Sequence, residues 1–84
     1  MTISRSPRFQ KQYRYWLESD PRLAEKIDEL IDAVCVDPFK GKGKPEPLRH
    51  ELKGYWSRRI TKEHRLVYSV DSDVITFVQC RFHY

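Results

Sequence analysis

The first half of the chain has apolar residues at helical spacing. One stripe begins after Ser6-Pro7, a pair that supplies an N-cap and a proline at the first helical position, and it consists of Phe9, Tyr13, Trp16 and Leu17. Asp20-Pro21 repeats this start signal, and the second stripe consists of Leu23, Ile27, Leu30, Ile31 and Val34. The second helix should end near Asp37-Pro38, because a residue before proline avoids helical angles. The pattern therefore predicts a helical hairpin, with a short strand at Met1–Arg5 before it.

The second half of the chain has the alternation and composition of β-strands. β-Branched and aromatic residues are concentrated in 55–61, 66–70 and 74–82, which are separated by turns at 62–64 and 71–73. Alternation places Leu66, Tyr68 and Val70 on one face of the middle strand and Arg65, Val67 and Ser69 on the other. The predicted fold is α+β, a helical hairpin packed on one face of a twisted, mainly antiparallel β-sheet.

Residues 38–47 between these halves read Pro-Phe-Lys-Gly-Lys-Gly-Lys-Pro-Glu-Pro. The glycines and prolines predict a loop without regular structure, stiffened by its prolines and basic except for Glu46. If the last turn centres on Ser72, Arg65 faces about position 79 on the final strand. His83 then lies beyond the tip of the 62–64 turn, and the loop must fold over that end of the sheet.

Chain length, charge and hydropathy limit the kinds of function that this protein can have. The 84 residues suffice for one domain, and their net charge is +4. Segment 20–37 carries six acidic and two basic side chains, whereas segment 40–66 carries nine basic and three acidic ones. This asymmetry indicates either a polyanion partner or an ordinary solubilising surface. Because no apolar run is long enough for a bilayer and Met1–Arg8 lack the apolar core of a signal peptide, we expect no membrane association and a cytoplasmic location.

Metal and cofactor chemistry find little support in the residues. Cys35 and Cys80 form no CxxC pair and are expected to be small buried hydrophobic residues. The Cys80-x-x-His83 spacing has no second matching pair, so we expect no metal site and no cofactor. Gly41 and Gly43 lack the spacing of a phosphate-binding loop.

The remaining polar residues fit metal-free RNA cleavage. That reaction needs a base for the ribose 2′-OH, a cation for the charge on phosphorus and an acid for the leaving 5′-oxygen. Glu46, Arg65 and His83 are candidates for these three roles. Each has an ordinary alternative: Glu46 could be a solvated surface charge, and His83-Tyr84 could be a frayed chain end. Arg58, Arg59 and Arg65 could be exposed strand positions or partners for the acidic second helix. Trp16 and Trp56 are expected in the core or an interface rather than as stacking platforms for bases.

Four segments resemble the YoeB toxins of the RelE superfamily. They are the 38–48 loop, Leu52-x-Gly-x-Trp-Ser-Arg-Arg-Ile60, Glu63-His-Arg-Leu-Val-Tyr68 and Cys80-Arg-x-His-Tyr84, in the family's order and spacing. The resemblance implies a microbial-ribonuclease α+β fold and a ribosome-dependent endoribonuclease that cuts mRNA and needs no metal. It implies that Glu46 is the general base, His83 the general acid, Arg65 the stabiliser of the transition state and Tyr84 a holder of the RNA. Arg59 would contact phosphates together with Lys40, Lys42 and Lys44, and so would Arg49, where the family commonly has lysine.

The resemblance also implies partners. These are mRNA with the ribosome and a YefM-type antitoxin, with operator DNA bound only through the antitoxin complex, while a homodimer is left open. Toxins of the ParE type share the fold but bind gyrase without cutting RNA, and an inactive binding protein is a further alternative. The set of Glu46, Arg65 and His83-Tyr84 favours the ribonuclease, because a gyrase-binding module needs none of it.

Overall fold

A computed structural model describes residues 2–83. Within this range the chain forms two helices, a single 3₁₀ turn and a five-stranded sheet. In chain order the elements are β1 (Thr2–Arg5), α1 (Pro7–Ser19), α2 (Pro21–Val36), β2 (Glu46–Pro47), the 3₁₀ turn (His50–Leu52), β3 (Tyr55–Arg59), β4 (Arg65–Asp71) and β5 (Val74–Gln79). The predicted α+β class and helical hairpin are confirmed.

Both helices begin at their predicted caps. The Ser6 hydroxyl accepts a hydrogen bond from the Phe9 amide at 3.0 Å, and the Asp20 carboxylate accepts one from the Leu23 amide at 3.3 Å. Each cap satisfies an amide that the first helical turn would otherwise leave unpaired. One member of the first stripe was predicted wrongly, because Leu17 is 51% exposed.

The sheet order is β1-β5-β4-β3-β2. β3, β4 and β5 form the predicted antiparallel meander, and β2 pairs antiparallel with β3. β1 pairs parallel with β5, which makes the sheet mixed. The strand expected at residues 1–5 is confirmed over Thr2–Arg5, and Met1 lies outside the described residues.

The core lies between the helices and one face of the sheet. The helices bury Phe9, Trp16, Ala24, Ile27, Leu30 and Val34, and the sheet buries Leu66, Tyr68, Ile75 and Phe77 against them. Trp56 is partly buried and packs against the same cluster, so the expectation that both tryptophans lie in the core or an interface is confirmed by packing with the core. Neither α1 nor α2 covers the opposite face of the sheet, where Ser57 and Val67 are nevertheless buried; we call it the open face. Over residues 2–83, no helix is long and apolar enough to cross a membrane.

The proline-rich loop contains two residues of strand, contrary to the prediction that it has no regular structure. Glu46 lies opposite Ser57 and Pro47 opposite Trp56 at the edge of the sheet. An edge strand tolerates proline because one side of its backbone needs no partner. This pairing fixes Glu46 on the sheet itself.

The final strand ends earlier than the predicted Phe82 and contains a bulge. Val67 pairs with Gln79 and Tyr68 with Phe77, which leaves Val78 as the extra residue. The Ser6 hydroxyl donates to the Val78 carbonyl at 3.0 Å. Beyond Gln79 the backbone leaves the ladder because Cys80 bonds to α1: its amide donates to Gln12 and its carbonyl accepts from the Trp16 indole.

The bulge changes the position of Arg65. The prediction that Arg65 faces about position 79 is wrong, since the extra residue moves its partner along the chain. The Arg65 amide instead donates to the Phe82 carbonyl at 3.1 Å. Arg65 therefore lies next to the C-terminal tail, defined here as residues 80–83.

The two cysteines differ in burial and are both free. Cys80 is buried as expected, and burial raises the pKa of its thiol to about 12. Cys35 is exposed, so the expectation of a buried hydrophobic residue is wrong there. Cys35 lies on α2 next to the buried Val34, one position away from the face that meets the sheet.

Candidate active site

A row of side chains crosses the open face of the sheet. The registers align Glu46 on β2, Ser57 on β3, Val67 on β4 and Gln79 on β5. Side chains opposite each other on paired strands share a face, so Glu46 points to the same side of the sheet as Gln79. Neighbouring strands lie about 4.8 Å apart, which separates the two ends of the row by roughly 14 Å.

Two arginines lie beside this row on the same face. Arg59 is directly opposite Arg65 in the β3–β4 ladder, two residues along from Ser57 and Val67. Together with Lys44 and Ser57 they surround Glu46 in a cleft of about 80 Å³. The cleft thus holds three cations around one carboxylate, an arrangement suited to a phosphodiester that must lose a proton from a neighbouring hydroxyl.

The turn before β4 fixes the guanidinium of Arg65. Its Nη1 donates to the Thr61 carbonyl at 2.9 Å, with longer contacts to the carbonyls of Lys62 and His64. These three contacts all come from Nη1. The other two nitrogens, Nε and Nη2, form a fork whose geometry matches two oxygens of a phosphate.

Further hydrogen bonds, besides those of Cys80 and the Arg65 amide, hold the tail that carries His83. Gln79 Nε2 donates to the His83 carbonyl at 3.1 Å and, at 3.4 Å, to that of Arg81. The Phe82 amide donates to Nδ1 of His64 at 2.8 Å, and the His64 ring packs edge-on against Trp16. His83 does not line the 80 Å³ cleft, but its backbone is tied to Gln79 at the end of the row and lies one residue from the partner of Arg65.

The other residues predicted for RNA contact are distributed around the cleft. Lys44 lines it, whereas Lys42 is 2.6 Å from Glu29 of α2 in an exposed ion pair that lowers the pKa of Glu29. Lys40 is exposed on the loop outside the cleft lining. Arg49 lines an adjoining groove that shares Glu46 with the cleft. Tyr84 lies outside the described residues.

Arg58 is not the exposed strand residue that was one of the two ordinary alternatives for it. Its side chain is fully buried, and its nitrogens donate to the carbonyls of Asp37, Lys40 and Lys42 and to the Tyr68 hydroxyl. Burial raises the pKa of Tyr68, which keeps its hydroxyl protonated to donate to the Pro38 carbonyl at 2.6 Å. Arg58 and Tyr68 therefore hold the beginning of the basic loop against the sheet.

The alternation of residues along β3 already indicated that Arg58 faces the core. Arg58 shares its parity with Trp56 and Ile60, both of which face the helices, whereas Arg59 has the parity of Ser57. A cation among inward-facing residues must find acceptors inside the protein, and the carbonyls of the loop supply them.

Gly43 lets the loop approach the sheet closely. Its φ is +89°, and a Cβ there would lie 2.8 Å from a methyl of Leu30 and 3.1 Å from the Cβ of Arg58. Its carbonyl accepts from the Arg59 amide at 2.7 Å. Only glycine combines this backbone angle with this contact. The loop is thereby held from Asp37 to Gly43, just before the residues that line the cleft.

We expect Arg58→Met to destabilise the protein by about 3 kcal/mol or more, because it leaves three carbonyls and one hydroxyl without their buried donor. Arg59→Met is the matched control, since this neighbouring side chain is exposed, and it should cost less than about 0.5 kcal/mol. Urea unfolding of both variants measures the difference. Equal stabilities would show that the loop does not depend on Arg58.

The described residues 2–83 contain no group of three or more His, Cys, Asp or Glu side chains placed to hold a metal ion.

Comparison with known proteins shows which family this chain resembles. The family described as "YoeB-like toxin of bacterial type II toxin-antitoxin system" matches residues 6–84. Toxin YoeB of Escherichia coli strain K12 is 58% identical over 72 residues, which cover 86% of each chain.

Two solved structures from Staphylococcus aureus resemble the fold over its whole length. One is described as a YoeB dimer, with 41% identity and a TM-score of 0.90, and the other as a heterotetrameric YoeB–YefM toxin–antitoxin complex, with 41% identity and a TM-score of 0.89. Each covers 100% of this chain and 98% of the other. On the match of the family over residues 6–84 and the identity to the curated toxin, the chain belongs to the YoeB family of toxins of bacterial type II toxin–antitoxin systems.

Proposed function

We propose that this toxin is a ribosome-dependent endoribonuclease that cuts mRNA, inhibits translation and is neutralised by a cognate YefM-type antitoxin. The observation that carries the proposal is the convergence of Glu46, Arg59 and Arg65 in one cleft on the open face, with the tail bearing His83 fixed beside Arg65. The family and the YoeB–YefM complex from Staphylococcus aureus support the toxin role and the antitoxin.

The order of the strands suggests how the reaction proceeds. Glu46 on β2 and the tail after β5 lie on opposite sides of Arg65 on β4. In an in-line displacement the attacking 2′-oxygen and the leaving 5′-oxygen also lie on opposite sides of the phosphorus. Glu46 removes the 2′-OH proton, Arg65 stabilises the added charge on phosphorus, and His83 protonates the 5′-oxygen. Tyr84 would hold the RNA next to His83.

The products follow from this mechanism. The 2′-oxygen forms a bond to phosphorus as the bond to the 5′-oxygen breaks, which leaves a 2′,3′-cyclic phosphate on one fragment and a 5′-hydroxyl on the other. No metal takes part in these steps. Cleavage should therefore persist with a chelator, at a level that spares the magnesium of the ribosome.

The test of the proposal is to map mRNA 5′ ends on programmed ribosomes with and without the purified protein. We expect new 5′-hydroxyl ends within the translated region, only when ribosomes are present, and their loss on adding a YefM-type antitoxin. An unchanged set of ends, or cutting that requires added zinc, would overturn the proposal. The oligomeric state is a separate question, for which the dimer from Staphylococcus aureus supports a homodimer.

The loop lysines should contribute unequally to RNA binding. Lys44 lines the cleft, whereas Lys42 already has Glu29 as a partner. In a plot of the logarithm of the ribosome-binding constant against the logarithm of salt concentration, the slope grows with the number of phosphate contacts. We expect Lys44→Gln to reduce this slope by the equivalent of about one contact, and Lys42→Gln to reduce it less. Binding measured across a salt series tests this. If Lys42→Gln has the larger effect, the assignment of phosphate contacts within the loop is wrong.

Gln79 should act as a positioning residue for His83. Gln79→Leu keeps the approximate volume of the side chain but removes both hydrogen bonds that Nε2 donates to the tail. We therefore expect about a 10-fold lower rate of cleavage with unchanged ribosome binding. Gln10→Leu, at an exposed position on α1, is the matched control. A purely structural role would lower the melting temperature of Gln79→Leu and leave the rate unchanged in the folded protein; single-turnover rates and melting curves separate the two.

A further inference from the structure

A second basic surface lies outside the cleft, on α1 and the tail. Arg8, Lys11, Arg14 and Arg81 line one groove of about 650 Å³ together with Tyr15 and Phe82, and Glu18 is its only acidic lining residue within the described part of the chain. None of these α1 cations belongs to the 40–66 segment that the sequence singled out as basic. The groove, here called the α1 groove, is continuous with the tail because Arg81 and Phe82 belong to both.

Two aromatic rings and an arginine are arranged in this groove. The guanidinium carbon of Arg81 lies 3.7 Å from the centroid of the Tyr15 ring and 4.6 Å from that of Phe82. The guanidinium of Arg81 therefore lies against both rings within the lining of the groove.

Phe82 is held in an unfavourable exposed position. Its φ is +66°, in the left-handed region that costs energy for a residue with a side chain, and its ring is 55% exposed. The bonds of its amide to His64 and its carbonyl to the Arg65 amide maintain this geometry. Exposed aromatic rings among cations are the features with which proteins bind single-stranded nucleic acid, through stacking on bases and contacts to the backbone.

The proposed mechanism gives the RNA in this groove a direction. The oxygen that His83 protonates belongs to the nucleotide on the 3′ side of the cut. The nucleotide that supplies the 2′-OH to Glu46 is on the 5′ side. From His83, the chain leads back through Phe82 and Arg81 to the α1 groove. The strand on the 3′ side therefore leaves the cleft at the end of the sheet where this groove begins.

We infer that the α1 groove is a binding site for the single-stranded RNA on the 3′ side of the cleaved bond, with the exposed Phe82 as a stacking surface and the α1 cations as phosphate contacts. This inference rests on the proposed ribonuclease function, because the direction comes from the roles of Glu46 and His83. It adds a subsite and a strand polarity to that function.

The polarity is tested by crosslinking. mRNAs carrying one 4-thiouridine, placed either two nucleotides 5′ or two nucleotides 3′ of the mapped cut, are loaded on ribosomes with the Glu46→Gln protein. We expect the 3′ probe to crosslink to peptides containing Tyr15 or Phe82 and the 5′ probe not to do so. Crosslinks from the 5′ probe, or none from the 3′ probe, would overturn the inference.

A comparison of charge-reversal variants tests how much the α1 cations contribute to the binding of mRNA. The groove variant Arg8→Glu/Lys11→Glu/Arg14→Glu is compared with Arg22→Glu/Lys26→Glu/Lys53→Glu, which reverses the same number of exposed charges elsewhere. On long mRNAs we expect KM to rise about 10-fold or more for the groove variant alone. On mRNAs that end one nucleotide after the cut, the two variants should have similar KM.

The outcomes separate the inference from the proposed function. An equal loss on short and long mRNAs would mean that the groove contacts ribosomal RNA, and a loss confined to antitoxin binding would mean that it contacts the antitoxin; either result overturns the inference. If the wild-type protein cuts neither mRNA, the proposed function itself fails.

Discussion

Removal of His83 and Tyr84 should abolish cleavage while leaving the fold intact. The residues that anchor the end of the chain precede the deletion: Ile75 and Phe77 are in the core, and Cys80 is bonded to α1. The deletion removes the hydrogen bond that the His83 carbonyl accepts from Gln79, whereas the bonds of Cys80 and the packing of Ile75 and Phe77 stay in place. We therefore expect the melting temperature to change by only a few degrees.

The loss of activity should be large because the general acid is removed. A proton-transfer group of this kind contributes about 10²- to 10⁴-fold in rate, or about 3 to 5 kcal/mol of transition-state stabilisation. His83→Ala should account for most of the loss and Tyr84→Ala for less. Ribosome binding should persist, since the deletion leaves the 38–48 loop and its lysines in place.

Melting, co-sedimentation with ribosomes and cleavage are measured on the same truncated protein. As a control, Val36→Ala changes an exposed residue at the end of α2, far along the chain from the tail. Full activity of the truncated protein would refute the assignment of His83, whereas a folded, ribosome-bound and inactive protein is the expected result.

Much of the fold could be predicted because its signals are local. The Ser6-Pro7 and Asp20-Pro21 starts, the helical stripes and the alternation in β4 each follow from the neighbouring residues, and the structure confirms them. Leu17 shows the limit of such a pattern. The stripe puts it on the same side of α1 as Trp16, but it is 51% exposed.

The features that could not be predicted depend on distant partners. The bulge at Val78 arises where Ser6 bonds to the strand from the other end of the chain, and it moves the partner of Arg65 to Phe82. The parallel pairing of β1 and the short strand at Glu46 are also contacts between segments far apart in sequence. No pattern within a single segment records such pairings.

The candidate site also has parts that could be predicted from the sequence and parts that could not. Residue chemistry identified Glu46, Arg65 and His83 as a base, a cation and an acid, while the roles of Tyr84, Arg59 and the loop lysines came from the resemblance. The sheet register then placed Glu46, Arg59 and Arg65 on one face. The structural role of Arg58 was missed because it was treated as one of several arginines on the strands. Its position in the alternation nevertheless places it on the face of the sheet that meets the helices.

The largest remaining effect expected from a single side chain is that of Glu46. Its place on β2, opposite Ser57 and beside Arg59 and Arg65, is fixed by backbone pairing. Glu46→Gln should therefore keep the fold and the binding of RNA but remove the base. We expect the cleavage rate to fall by about 10²-fold or more.

The most direct test of the ribonuclease mechanism is the single-turnover cleavage rate of wild-type and Glu46→Gln protein on the same programmed ribosomes, at protein concentrations that saturate both. The account predicts equal occupancy of the ribosome, matched melting curves and a rate for Glu46→Gln that is lower by about 10²-fold or more. A Glu46→Gln protein that binds and cuts as fast as the wild type would contradict it.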